Sequence, residues 1–150
     1  MQQEDFIKRQ IDQLGQALGK ILADLIGLKS QGQVGDGIEA AGQALKNESG
    51  LNITDLVSIP AENLVTTLQS SRKMNADNFE KLADILFLLA EEPENRDIDN
   101  DKKREMYERS LTIYEYLDNT SATYSYDIHR KIEKIKTAKL FCNAIKLGEG

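Results

Sequence analysis

Residues 76–92, ADNFEKLADILFLLAEE, decide the fold class. Phe79, Leu82, Ala83 and Leu86 recur at helical spacing, and Ile85 to Ala90 form the longest apolar stretch of the chain. Towards its C-terminal end the segment is apolar nearly all round, the pattern of a central helix packed on several sides. Asn75 starts the segment and Pro93 stops it.

Composition extends this reading to the whole chain. Leucine contributes 18 residues and isoleucine 14, against only 3 valines and 2 prolines, a balance that favours helices over strands. The 150 residues are the size of one domain, 1–150, able to bury roughly 68–70% of its unfolded surface without a disulfide or metal. One cysteine excludes an intramolecular disulfide and a cysteine-built zinc site, and one histidine excludes any two-histidine site. The absence of tryptophan, with five tyrosines and four phenylalanines, leaves little to stack on bases.

Outward from the central segment, other helices follow in order. The first spans about Glu4 to Leu28, with a broad apolar side (Phe6, Ile7, Ile11, Leu14, Leu18, Ile21, Leu22, Leu25, Ile26 and Leu28) that predicts two packing partners. Gly15 and Gly19 cost it helix propensity, so each is expected to permit a close crossing. A weaker helix covers about Val34 to Lys46. A short turn at Thr54 to Val57 precedes a helix opened by Pro60, with Leu64, Val65 and Leu68 inward. Beyond the central segment, helices are predicted over about 102–117 and 126–147. The first of these turns Met106, Tyr107, Ser110, Leu111, Ile113, Tyr114 and Leu117 inward, and the second Ile128, Ile132, Ile135, Cys142 and Ile145.

Two of these helices share an internal pattern. Ile11-x2-Leu14-Gly15-x2-Leu18 matches Phe79-x2-Leu82-Ala83-x2-Leu86, and Gly15 and Ala83 stand 68 residues apart. That distance is twice the roughly 34-residue period of tetratricopeptide repeats. The partner-helix signature, with small residues at fixed places, is partly met by Gly37, Ala41, Ala44 and Leu45, and again by Tyr107, Ser110 and Leu111. With ERSLTIYEYL placed like the second helix of a long repeat, the chain resembles tetratricopeptide-repeat proteins. EDFIKRQIDQLGQALGKIL, LADILF and TYSYD also resemble a family of small uncharacterised bacterial proteins with a helical-repeat fold. Long insertions between paired helices, Lys103 at a small position and Ala41 at a large one make the repeats degenerate, with a C-terminal capping helix. The resemblance implies a right-handed array of about six helices and a protein-binding scaffold.

Net charge is −6, concentrated in residues 51–100 with 4 basic and 10 acidic side chains. An acidic chain of this kind is a poor binder of nucleic acid. The basic residues Arg130, Lys131, Lys134, Lys136 and Lys139 read as the solvated face of the last helix. The start, MQQEDFIKRQ, is unlike a secretory signal and no run is long enough to span a membrane, so a cytoplasmic location is expected. The polar face of the first helix balances its charges, which argues against a membrane surface.

The sharpest chemical candidate is the acidic loop 97–108. Asp97, Asp99, Asp101 and Glu108 stand at positions one, three, five and twelve of a calcium-binding loop. Lys102 replaces the turn glycine and Arg104 an apolar position, so the loop reads as an acidic connector capping the next helix, with calcium as the alternative. Cys142 reads as a packed thiol. His129, thirteen positions away and roughly 19 Å along one helix, cannot pair with it and reads as a surface or capping residue. Tyr107, Tyr114, Tyr116, Tyr124 and Tyr126 are the candidate partner-binding residues. The expected function is a non-enzymatic protein- or peptide-binding scaffold without cofactor. Its groove is expected between the helices over 4–28, 75–92 and 102–117, with Leu140 and Phe141 available for a homodimer.

Overall fold

In a computed structural model, the structure describes residues 2–30, 42–47, 52–72, 74–91, 100–120 and 125–149. Among these residues the chain is all-helical. α1 is Gln2–Ser30, α2 covers residues 42–47, α3 is Ile53–Ser58, α4 is Ala61–Arg72, α5 is Ala76–Glu91, α6 is Asn100–Thr120 and α7 is Tyr126–Glu149. The short turn expected near Thr54 is the six-residue helix α3. Residues 34–41 of the expected second helix lie outside the described residues.

Local chemistry sets the helix starts. Asn75 Oδ1 accepts the backbone N–H of Asn78 at 2.9 Å and caps α5, and Ser125 Oγ accepts that of Ile128 at 3.2 Å and caps α7. Asp77 and Asp127 in the first turns complement the helix dipoles.

Helix α5 is central. Phe79, Leu82, Ala83, Ile85, Leu86, Leu89 and Ala90 are buried in one cluster to which all seven helices contribute, from Leu18 and Leu25 of α1 to Ile132 and Ile135 of α7. Each fully buried leucine, isoleucine or phenylalanine contributes roughly 1.5–3 kcal/mol of transfer free energy.

Cross-helix contacts fix the directions. Phe79 meets Tyr116 edge-on at 5.5 Å, Ser110 Oγ donates to the Ala83 carbonyl at 2.8 Å, and Phe87 meets Tyr107 at 5.8 Å. Residue numbers rise on one helix as they fall on the other, so α5 and α6 are antiparallel. Asp118 with His129, and Tyr114 with Lys131, make α6 and α7 antiparallel too. On the other side Asn78 Nδ2 donates to the Ile11 carbonyl at 3.0 Å and Lys81 Nζ to the Gly15 carbonyl at 3.3 Å, so α1 runs parallel to α5. A Cβ on Gly15 would lie 2.7 Å from Asn78 Oδ1, so the crossing there is as close as the glycine implied. Gly19 has only Lys81 at 3.8 Å, an ordinary contact, and does not set the crossing.

Helix α6 packs on both α5 and α7 and also holds α3 and α4. Arg109, buried inside α6, donates from Nε and Nη2 to the Ile59 carbonyl at 3.2 and 2.9 Å and fixes the corner between α3 and α4. Gln69 of α4 donates to Tyr116 Oη at 2.7 Å. No helix among the described residues is long and apolar enough to cross a membrane.

Candidate functional site

Helices α1, α5 and α7 run in the same direction, with α5 in the middle. α6 covers one side of α5, and α1 and α7 flank it. What remains is a groove of about 830 Å³ along α5. Each helix presents a stripe at helical spacing. Asp84, Phe87 and Leu88 form the floor; Leu22 and Ile26 of α1 form one wall, and Arg130, Lys131, Glu133, Lys134 and Thr137 of α7 form the other. Ile26 is 54% exposed there, so the broad stripe of α1 has α5 as its partner on one side and open groove on the other.

The electrostatics of the floor centre on Lys131. Its Nζ lies 3.1 Å from Asp84 Oδ1, 3.4 Å from Asp127 Oδ2 and 3.7 Å from Glu80 Oε1, and 5.6 Å from the Tyr114 ring centroid. Burial opposes the charge on this ammonium, but Asp84, Glu80 and Asp127 outweigh it and hold Lys131 above the ordinary lysine value. The Tyr114 hydroxyl donates to Asp84 Oδ1. Burial first, and then the charge of Asp84, push the Tyr114 phenol far above the usual tyrosine range, so it stays a neutral donor. A neutral phenol and a charged lysine held by carboxylates bind and orient; neither is poised as a base or nucleophile. Lys134 Nζ stands 5.3 Å above the Phe87 ring, a cation on the apolar floor.

The candidate tyrosines are dispersed. Tyr114 lines the groove by its hydroxyl end, while its ring is buried. Tyr107 is buried against Phe87, and Tyr116 is half-buried between Phe79 and Gln69. Tyr126 is 72% exposed at the start of α7, outside the groove, and Tyr124 lies outside the described residues. The reason is the antiparallel packing of α6 on α5, which turns Tyr107 and Tyr114 into the interface. The groove therefore takes its second wall from α7 where the sequence pattern pointed to the helix over 102–117.

In the acidic segment, Asp97 and Asp99 lie outside the described residues. Asp101 and Glu108 are both on α6, seven residues and so roughly 10 Å apart along its axis, which separates the two carboxylates by two turns. Asp101 is ion-paired with Arg104, and Glu108 Oε2 lies 3.6 Å from Arg109 Nη1. Among the described residues no group of three or more histidine, cysteine or acidic side chains is placed to hold a metal ion. His129 Nε2 lies 2.9 Å from Asp118 Oδ1 and ties α7 to the end of α6. Leu140 is 69% exposed; the side chains of Phe141 and Cys142 lie outside those described.

No family model, curated protein or solved structure matches the chain.

Sequence reasoning missed the groove residues Asp84, Lys131 and Lys134. Asp84 carried a signal: it interrupts the apolar surround of α5, which marks the side left without a helix. The lysines carried none, because a groove wall and a solvated face have the same polarity.

Proposed function

We propose that this chain is a non-enzymatic helical-repeat scaffold of the cytoplasm that binds a protein or peptide segment along α5, between α1 and α7. The observation that carries the reading is the groove itself. α5 has more apolar surface than its neighbouring helices cover, and the remainder, Phe87 and Leu88 beside Leu22 and Ile26, forms a continuous concave strip. Such a strip rimmed by polar side chains is the usual form of a recognition surface.

A tetratricopeptide-like, right-handed arrangement with degenerate repeats fits the same features. The contact between Ala83 and Ser110, both small, joins the two helices of one repeat. The hydrogen bonds from α5 to α1 span 67 and 66 residues, close to the 68 between Gly15 and Ala83. Two repeats, α1 with α2 and α5 with α6, an inserted α3–α4 segment between them, and α7 as the cap account for that spacing.

Ile26→Asp tests the reading, because the position is exposed and the charge falls on the wall without entering the core. Partners retained by the wild-type chain in affinity capture should be lost by the variant, with its melting temperature unchanged. Equal retention by a folded variant would refute the groove.

A further inference from the structure

Helix α7 is held to its two neighbours in different ways. Its stripe of Ile128, Ile132 and Ile135 is buried, and the helix packs on α6 and not on α5. Among the described residues, its ties to α5 come from lysines. Lys131 Nζ lies 3.1 Å from Asp84 Oδ1 and 3.7 Å from Glu80 Oε1, both on α5, and 3.4 Å from Asp127 Oδ2 on its own helix. The Tyr114 hydroxyl of α6 donates to the same Asp84, so three helices meet at one carboxylate. One turn further on, Lys134 Nζ stands 5.3 Å above the Phe87 ring. Without Lys131, Glu80 and Asp84 of α5 would face Asp127 of α7 with no cation between them, a like-charge contact across the two helices. The side chains of Lys131 and Asp84 are 28% and 20% exposed, so water screens these charges only in part.

We infer that the Asp84–Lys131 contact is a latch that sets the width of the groove: it holds α7 beside α5, and loss of the lysine's charge lets α7 swing outward on α6. His129 Nε2, 2.9 Å from Asp118 Oδ1, ties the start of α7 to the end of α6 and marks the pivot. The wall residues Glu133, Lys134 and Thr137 lie beyond both pivot and latch, so they move with the helix. Packed helix pairs occupy crossing angles with about 15–20° of scatter, so a swing of that size keeps the α6–α7 face packed. Position 136, seven residues past His129, is roughly 10 Å along the axis and moves by about 3 Å in such a swing. Repulsion among Glu80, Asp84 and Asp127 gives the swing its direction, away from α5. The latch acts on the walls alone, with or without a guest between them, so it stands apart from the binding reading.

Double electron–electron resonance on the full chain reads the width. Nitroxide labels go on exposed positions of the two walls' helices, as Ala23→Cys on α1 and Lys136→Cys on α7, with Cys142→Ser removing the one native thiol. With Lys131 present, the label-to-label distance should be narrowly distributed and change little with salt. Lys131→Met should lengthen its mean by about 3 Å at low salt. Salt at about 1 M, which screens the three carboxylates from one another, should bring it part of the way back. Lys131→Arg keeps the charge and should keep the wild-type distance. Glu133→Gln removes a charge from the same wall without touching the cluster and should also leave the distance unchanged. Circular dichroism melting checks that each protein folds, and Lys131→Ala, a good helix former, gives a second measurement with the same direction. A folded Lys131→Met or Lys131→Ala with the wild-type distance at low salt would overturn the latch. So would a lengthening that Lys131→Arg shows equally, or that salt does not reduce, because packing around the residue and not its charge would then set the width.

Discussion

Gly15→Ala and Gly19→Ala should change stability in opposite directions. Both glycines lie inside α1, and replacing a mid-helix glycine with alanine ordinarily stabilises by about 0.5–1 kcal/mol. At Gly19 the new methyl meets only Lys81 atoms at 3.8 Å, so the full gain should appear. At Gly15 it would lie 2.7 Å from Asn78 Oδ1. Asn78 is 2% exposed and donates to the Ile11 carbonyl at 3.0 Å, so moving its amide breaks a hydrogen bond in a place water does not reach. A buried polar group left without its partner costs about 1–3 kcal/mol. The balance is a net loss of about 1 kcal/mol for Gly15→Ala, a fall in Tm of about 2–4 °C for a domain of this size. Urea unfolding followed by circular dichroism measures both variants. Adding Asn78→Ala to Gly15→Ala should cost less than the sum of the two, because the clash and the hydrogen bond belong to the same amide. Equal gains at Gly15 and Gly19 would refute the close crossing of α1 and α5.

Tyr114→Phe removes the donor to Asp84 and should destabilise by about 1–2 kcal/mol in the same assay. Tyr114 and Lys131 both have folded-state pKa values raised above their ordinary 10.0 and 10.5, so their contributions are intact below about pH 10 and are lost as pH rises further. Stability measured from pH 9 to 12 should therefore fall, and Tyr114→Phe/Lys131→Met should flatten that fall; an unchanged slope would disprove the linkage. Arg109→Met keeps the volume but gives up two hydrogen bonds to the Ile59 carbonyl, with an expected loss of about 1–3 kcal/mol and faster amide exchange at the α3–α4 corner.

The helices were legible because their apolar residues recur at helical spacing, and the central place of α5 because its apolar residues go nearly all round. The small pair Ala83 and Ser110 marked where α5 and α6 meet, and Gly15 marked the crossing with α1. Arg109 and Asn78 escaped notice although both sit among inward residues, Arg109 beside Met106 and Ile113 and Asn78 one turn before Leu82. Polar residues on an apolar stripe look like breaks in the pattern until the carbonyls they serve, Ile59 and Ile11, are known. The groove was legible only as a surplus: α1 had too wide an apolar side for one partner. Which helix forms the opposite wall depends on α7 returning parallel to α5, a long-range relation that no local spacing encodes. The tyrosines drew attention by their concentration, but α6 rotates two of them into its interface with α5.

The hydrogen bonds that dock α1 on α5 bridge 67 and 66 residues, whereas α5, α6 and α7 follow one another as antiparallel neighbours. Closing a chain segment that long carries an entropy cost that adjacent hairpins avoid, so the α5–α6–α7 unit is expected to assemble first and α1 to join it last. By the same reasoning α1 is the first element to detach under mild denaturation, and its amides should exchange at lower protection than those of α6. One wall of the groove belongs to that last-joining element. A guest seated against Leu22 and Ile26 would thus act as a clasp on the most weakly held helix, and its binding would be read most strongly in amides of α1 that the guest never touches.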